Sequence, residues 1–377
     1  MKLQTINKLL INKYIRIWTK SSKFESTINI FSVFITTLCV SAIIIILSVN
    51  NGFKNNIVEI LTDFNGHKRI YNKNYSSLSE NDYISISSLY EKKLKITRFL
   101  TKECVIKSKK FSEGMLLFAI NENDYLSSTI NKYITNGNIT DSTIVIGDLF
   151  LDKYDVDIGE YLSIFTLNNE GVEQVYKFSI SGSFRTNIPD YDSHIIFCNS
   201  ALLNNQVDYD FFQLNTLDES IDYTYLENNF KLIDASEINL SFFNWLSSYD
   251  NPINLLVFFI IIISILNVLN NNYYIIYYKR KQIILLQILG MNKHSLKSII
   301  IARSIFSTFI GCVSGVIFAY LLLLLESHYH FIRLPSYVYF IDSLPIYINY
   351  NYIAFILPYM FIVTLVSSFL NYHLIKK

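Results

Sequence analysis

"INIFSVFITTLCVSAIIIILSV", Ile28 to Val49, carries no charged side chain over its whole length. An α-helix rises about 1.5 Å per residue, so about 20 apolar residues cross the ~30 Å hydrocarbon core of a bilayer. The stretch is therefore read as a transmembrane helix over 28–50. A signal peptide also joins a basic start to an apolar run, but this run is too long for one. No small-residue cleavage site precedes Asn51 either. Three further apolar runs follow at 253–278, 298–325 and 350–372, and Arg303, near one end of the third, can snorkel to the interface.

Charge gives these spans a direction. The formal net charge of +1 conceals a segregation: of the 31 acidic residues, all but Glu25, Glu326 and Asp342 lie between Asn51 and Asp250. The basic residues Lys2, Lys8, Lys13, Arg16, Lys20 and Lys23 precede the first span, a basic loop separates spans two and three, and Lys376–Lys377 end the chain. Cytoplasmic loops are enriched in Lys and Arg, so four spans place 1–27, 279–297 and 373–377 inside the cell. The acidic segment 51–250 and the short loop 326–349 then lie outside. The fold class expected is an integral membrane α-helical protein of four transmembrane helices, N-in and C-in. A large α+β extracytoplasmic domain sits between helices 1 and 2. A nucleic-acid binder would gather its cations on one folded face, and this chain does not.

Within 51–250, alternation of apolar residues predicts strands at Leu94–Leu100, Glu103–Lys107 and Met115–Ile120. A short helix is expected at Asp148–Tyr154. Strands at Tyr161–Thr166 and Val175–Ser181 flank "LNNEGVEQ" as a hairpin, and another strand is expected at His194–Cys198. Asn199 can cap the helix after it. Cys39 and Cys312 fall in spans, while Cys104 and Cys198 fall in the domain, where a bridge and two buried thiols are both open readings. No GxSxG, HExxH, CxxC or P-loop pattern occurs, and His328 and His330 form a lone pair in a loop. No catalytic residue, metal site or cofactor bound by this chain is expected.

Four segments carry a family resemblance. "IIILSVNNGFKNNIVEILTDFNGHKRIYN" (Ile44–Asn72) resembles the junction after the first span of lipoprotein-releasing (Lol-type) permeases of ABC transporters, in the macrolide-exporter/FtsX-like superfamily. "FSISGSFRTNIPDYDSHIIFCNSALLNN" (Phe178–Asn205) is similar to their external Y-D-S segment. "ILNVLNNNYYIIYYKRKQIILLQILGMNKHSLKSIIIARSIFSTFIGCVSG" (Ile265–Gly315) looks like their second span, cytoplasmic loop and third span. "LPSYVYFIDSLPIYI" (Leu334–Ile348) resembles their last external loop.

The resemblance implies a non-catalytic permease subunit of the bacterial inner membrane, with its large domain in the periplasm. It would be paired with a second permease subunit, the same chain or a paralogue. An ABC ATPase subunit would use ATP and Mg on the cytoplasmic side. The complex would extract lipoprotein cargo from membrane lipid and pass it to a periplasmic lipoprotein carrier. An exporter of peptides or lipids, or a division-type permease regulating a cell-wall hydrolase, is the alternative.

Residue roles follow from pattern and resemblance together. The segment 279–297 is the expected ATPase-coupling element, with Lys279, Gln282, Ile284, Leu285, Ile288, Leu289 and Gly290 as its candidates. The Ile and Leu residues recur at helical spacing, and Gly290 suits a left-handed helix end before Asn292 or Ser295 caps the next helix. An amphipathic helix lying on headgroups has the same pattern. The family usually carries an acid where Gln282 stands. Ser307, Gly311, Gly315 and Ala319 form a small-residue stripe that allows close helix approach, within one subunit or between two, and Asn267 is expected to hydrogen-bond between helices. Leu47, Val49, Phe53, Leu255, Leu256 and Phe259 are the cargo-groove candidates, with lipid-facing or core packing as the other reading. Asn168, Asn169, Glu170 and Gly171 occupy the place of the family's carrier-docking hairpin, which here is shorter and lacks prolines.

Overall fold

The structure is a computed structural model that describes residues 23–74, 76–90, 93–108, 111–121, 123–124, 128–140, 142–167, 171–202, 208–216, 221–288, 293–335 and 343–374. The chain divides into two compact units. One holds the described residues up to Lys54 with Leu246–Ile332 and Leu344 onward; the other holds Asn55–Trp245 and Arg333–Ser343.

The second unit is built around a closed barrel. Strand β3 (Leu94–Lys107) pairs along one edge with β4 (Ser112–Ile120), and β4 runs parallel to β9 (Ile195–Asn199). β9 pairs with β6 (Thr143–Gly147), β6 runs parallel to β8 (Glu173–Phe184), and β8 pairs with β7 (Tyr161–Leu167). β7 returns to the other edge of β3 at Cys104↔Thr166, which closes the ring. Closure removes the open edges that a sheet otherwise exposes. Alternate residues point inward, so Cys104 and Ile106 meet Met115, Leu117, Leu162, Ile164, Phe178, Ile180, Ile196 and Cys198 in one core. The helix α3 (Asp148–Tyr154) adds Phe150, whose complete burial contributes roughly 1.5–3 kcal/mol. Both Cys104 and Cys198 are free buried thiols; burial pushes both up, Cys104 to about 12.

β3 is one strand, where the sequence predicts two. Thr101 and Lys102 interrupt the apolar alternation, but the β4 edge runs unbroken from Phe99 to Lys107. The other edge changes partner there, from β11 (Phe211–Thr216) to β7. β11, β1 (Lys68–Tyr71) and β12 (Lys231–Asp234) extend the sheet over a separate core of Ile70, Leu78, Ile86, Leu94, Phe212, Leu214 and Leu226. Arg98 ties these parts together. Its Nε and Nη2 donate to the two oxygens of Asp124 (2.7 and 3.1 Å), and its Nη1 donates to Glu80 (2.6 Å). Burial pulls the Arg98 pKa down, but the Asp124 bonds more than reverse that and raise it.

The turn in the Y-D-S segment is held by Asp192. Its carboxylate accepts from Thr186 N and Oγ1 (2.8 and 2.7 Å) and from Asn187 N (2.9 Å), with Asn187 left-handed at φ 62°. Burial raises the Asp192 pKa, while those bonds to Thr186 and Asn187 oppose the rise. Gly147 lets this turn pack: a Cβ there would lie 2.1 Å from the Asp192 carbonyl oxygen.

The first unit is helical. Among the described residues three helices, not the expected four, are long and apolar enough to cross a membrane: Thr27–Asn65, Leu240–Tyr278 and Ile301–Tyr329. The expected fourth span coincides with helix α11 (Asn351–Leu374), which contains Pro358. The first helix, α1 (Lys23–Asn65), does not stop near residue 50. Ile57, Ile60, Leu61 and Phe64 repeat at helical spacing and are buried, so the periodic face continues beyond the apolar run.

Candidate functional site

Polar contacts between helices organise the first unit, because lipid supplies little drive for apolar faces to leave it. In α8 (Asp250–Tyr278), Asn267 Nδ2 donates to the Ser32 carbonyl and to Thr36 Oγ1, both at 3.1 Å. In α10 (Lys293–Tyr329), Ser314 Oγ shares a 2.6 Å hydrogen bond with Thr37 Oγ1. A Cβ on Gly311 would lie 2.8 Å from Thr36 Cβ, and one on Gly315 would lie 2.8 Å from the Thr37 carbonyl oxygen. These glycines of the small-residue stripe therefore face α1 of the same chain. Ala319 is fully buried, in the core cluster with Val40, Ile43 and Ile44, and Ser307 is half-buried.

At the other end of these helices, Lys54 and Asp250 form an ion pair between α1 and α8. Tyr347 N donates to the Ser48 carbonyl at 3.1 Å, and Asn51 Nδ2 donates to the Tyr352 hydroxyl. Gly52 accommodates the segment before α11, since a Cβ there would lie 2.3 Å from the Pro345 carbonyl oxygen. Of the cargo-groove candidates, Leu47 packs on the helical core, Val49 and Phe53 are half-buried, and Leu255, Leu256 and Phe259 are exposed.

Tyr273, Tyr274, Tyr277 and Tyr278 are all exposed at the end of α8, with the rings of Tyr273 and Tyr277 stacked 6.2 Å apart. Aromatic side chains favour the membrane–water interface. Directly after them the chain turns basic. Lys279 is buried and interrupts the helix only slightly: its N–H donates to Ile275 O (3.1 Å), and Ile283 N donates to Lys279 O (2.9 Å). Helix α9 (Arg280–Ile288) follows. Ile283 is buried, whereas Ile284, Leu285 and Ile288 are 46%, 59% and 79% exposed. Leu289 and Gly290 lie outside the described residues, as does the side chain of Gln282. The result is a short cationic helix with an uncovered apolar face.

Residues 254–377 match the family model of the FtsX-like permease C-terminal domain. This part of the chain is similar to an FtsX-like permease domain. It begins within α8 and includes α9, α10 and α11. No curated protein shows significant sequence similarity to the chain. Among solved structures, the extracellular domain of the noncanonic ABC-type transporter YknZ from Gram-positive bacteria is matched at 9% identity with a TM-score of 0.30. That match covers 40% of this chain and 83% of the other, and a likeness so slight carries no argument.

Sequence reasoning missed the residues that seat α8 and α10 on α1. Ser32, Thr36 and Thr37 are hydroxyl residues inside an apolar run, at helical spacing, which is a legible signal for interhelical bonding. In the second unit the expected hairpin is present as β7 and β8, paired from Tyr161↔Ser179 to Leu167↔Glu173. Its tip residues Asn168, Asn169 and Glu170 lie outside the described residues, and Gly171 is left-handed at φ 76°.

The junction motif and the Y-D-S motif also meet. Asn65 Nδ2 donates to Asn239 Oδ1 (3.0 Å) and to the Tyr191 hydroxyl, which itself donates to Asn239 Oδ1 (2.8 Å). Buried Arg69 donates to Asn65 O and Oδ1 (3.1 and 2.7 Å) and lies 4.2 Å from the Phe211 ring centre.

Proposed function

We propose that this chain is the transmembrane permease subunit of an ABC complex that releases lipoproteins from the inner membrane. A separate ATPase subunit binds ATP and Mg, hydrolyses the nucleotide, and grips α9 through Ile284, Leu285 and Ile288. The apolar face of a cytoplasmic helix suits a groove on a partner protein, and Lys279, Arg280 and Lys281 hold that helix on the cytoplasmic side. The permease pairs with a second permease subunit and takes cargo laterally from the outer leaflet beside Leu255, Leu256 and Phe259. It then passes the cargo to a periplasmic carrier, with the β7–β8 hairpin as the docking candidate. Burial of an acyl chain in lipid is worth about 0.8 kcal/mol per CH₂, so extraction needs both an energy source and an apolar receiver.

The observation that carries the lipoprotein reading is the pairing of the motif segments. Those on which the resemblance rests fold onto one another: Gly52 against Pro345, and Asn65 against Tyr191. Motifs that are distant in sequence but complementary in space support one inherited architecture over a chance match. The test is depletion of the protein followed by membrane fractionation. Outer-membrane lipoproteins are expected to accumulate in the inner membrane. Normal lipoprotein sorting with altered cell-wall hydrolysis or altered export would reject the reading.

A further inference from the structure

On the outside of the barrel, β4, β3, β7 and β8 lie side by side, and their registers set outward side chains in rows. One row runs Gly114, Val105, Phe165, Val175. The next contains Leu116 opposite Glu103, and Leu167 opposite Glu173. The row on the other side is polar, with Ser112, Lys107, Ser163 and Lys177. Outward positions of a solvated sheet are ordinarily polar. Here Val105, Leu116, Leu167 and Val175 are 43%, 42%, 63% and 57% exposed.

The core cannot account for them, since the alternate residues of the same strands already fill it. Gly114 leaves a gap in the row: a Cβ there would meet nothing within 4 Å. The groove at this place measures about 630 Å³ and is lined by Val105, Leu116, Phe165, Leu167, Glu103 and Glu173. A contiguous apolar patch with a charged rim marks an interaction surface.

Charge decides the occupant. Glu103 and Glu173 are exposed, and among the described residues neither takes part in an ion pair, whereas nearby Glu113 is held by the Tyr154 hydroxyl (2.6 Å) and Lys153 (3.2 Å). Two free carboxylates repel anionic headgroups and nucleic acid alike. They stand two strands apart, on the order of 10 Å, which an extended chain spans in about three residues.

We infer that this groove docks an extended segment of a partner protein bearing a bulky apolar side chain between two cations about three residues apart. The apolar side chain enters the notch at Gly114, and the Lys or Arg side chains reach Glu103 and Glu173. This holds whatever cargo the permease moves.

The experiment uses the full chain in nanodiscs of zwitterionic lipid and a phage-displayed random peptide library as the probe. Wild-type protein is expected to enrich peptides with Lys or Arg flanking a bulky apolar residue. Gly114→Trp is expected to cut binding of those peptides at least about tenfold, as for loss of one packed anchor. The double reversal Glu103→Lys with Glu173→Lys is expected to select Asp and Glu in their place. Unchanged thermal melting checks that each variant folds, and Val175→Asp substitutes for Gly114→Trp if the latter does not. Any of three results overturns the inference: no enrichment over empty nanodiscs, equal binding to the notch variants, or displacement of the peptides by anionic phosphatidylglycerol vesicles.

Discussion

Ile106 and Ile317 are the same side chain in opposite settings. The first is fully buried inside the barrel, and the second is 60% exposed on α10. Apart from the outward rows on β3, β4, β7 and β8, the barrel unit hides its apolar residues and turns polar ones outward, as a domain in water must. The helical unit reverses this pattern, with Phe306, Phe309, Ile317 and Leu321 outside and Thr36, Thr37, Asn267, Gly311 and Gly315 within. Apolar filling holds one region together; close backbone approach and interhelical hydrogen bonds hold the other.

If that contrast is right, the largest effects belong to packing defects in the barrel. Gly147→Val is expected to cost at least ~3 kcal/mol and to expose the domain to limited proteolysis, because the Asp192 backbone cannot retreat from a new side chain. Asp124→Ala comes next. It leaves the Arg98 guanidinium, only 11% exposed, with Glu80 as its remaining carboxylate, so the cost falls toward the low end of the about 3–5 kcal/mol of a broken buried pair, read as a lower denaturation midpoint of the external domain. In the helical unit, Asn267→Ala removes two interhelical bonds at about 1 kcal/mol in all, measurable by thermal unfolding in detergent. Smallest of all, Ile317→Ala on the outward face is expected to leave the unfolding temperature in detergent unchanged. A drop as large as that of Asn267→Ala would mean that Ile317 faces another helix.

The two regions also differed in how far they could be read from sequence. Three of the four expected apolar helices were legible because length and apolarity act locally, and α3 was legible to its ends because Asp148 opens it and Asp155, left-handed at φ 53°, closes it. The continuation of α1 to Asn65 was missed, since a change from all-round apolarity to one apolar face looks like an ending. Barrel closure was illegible: it depends on parallel pairings of β4 with β9 and β6 with β8, which are remote in sequence and leave no local trace. At the candidate site, spacing picked out Ile284, Leu285, Ile288 and Leu289, of which the first three are exposed on α9 and the last lies outside the described residues. Ile283, in the same run of four consecutive apolar residues, stood outside that set and is buried. The barrel's outward apolar rows were overlooked because alternation reveals that two faces differ, and not which residues of the outer face line up across strands.

The most direct test of the account concerns the uncovered face of α9. Ile284, Leu285 and Ile288 replaced together by Glu should leave membrane insertion and the melting of the external domain as in wild type, since none of the three is buried. The account predicts that an ABC ATPase subunit co-purifies with the wild-type chain and is lost from the triple variant, with nucleotide hydrolysis falling to the level of the ATPase alone. Retention of the ATPase by the triple variant at wild-type stoichiometry and turnover would contradict it.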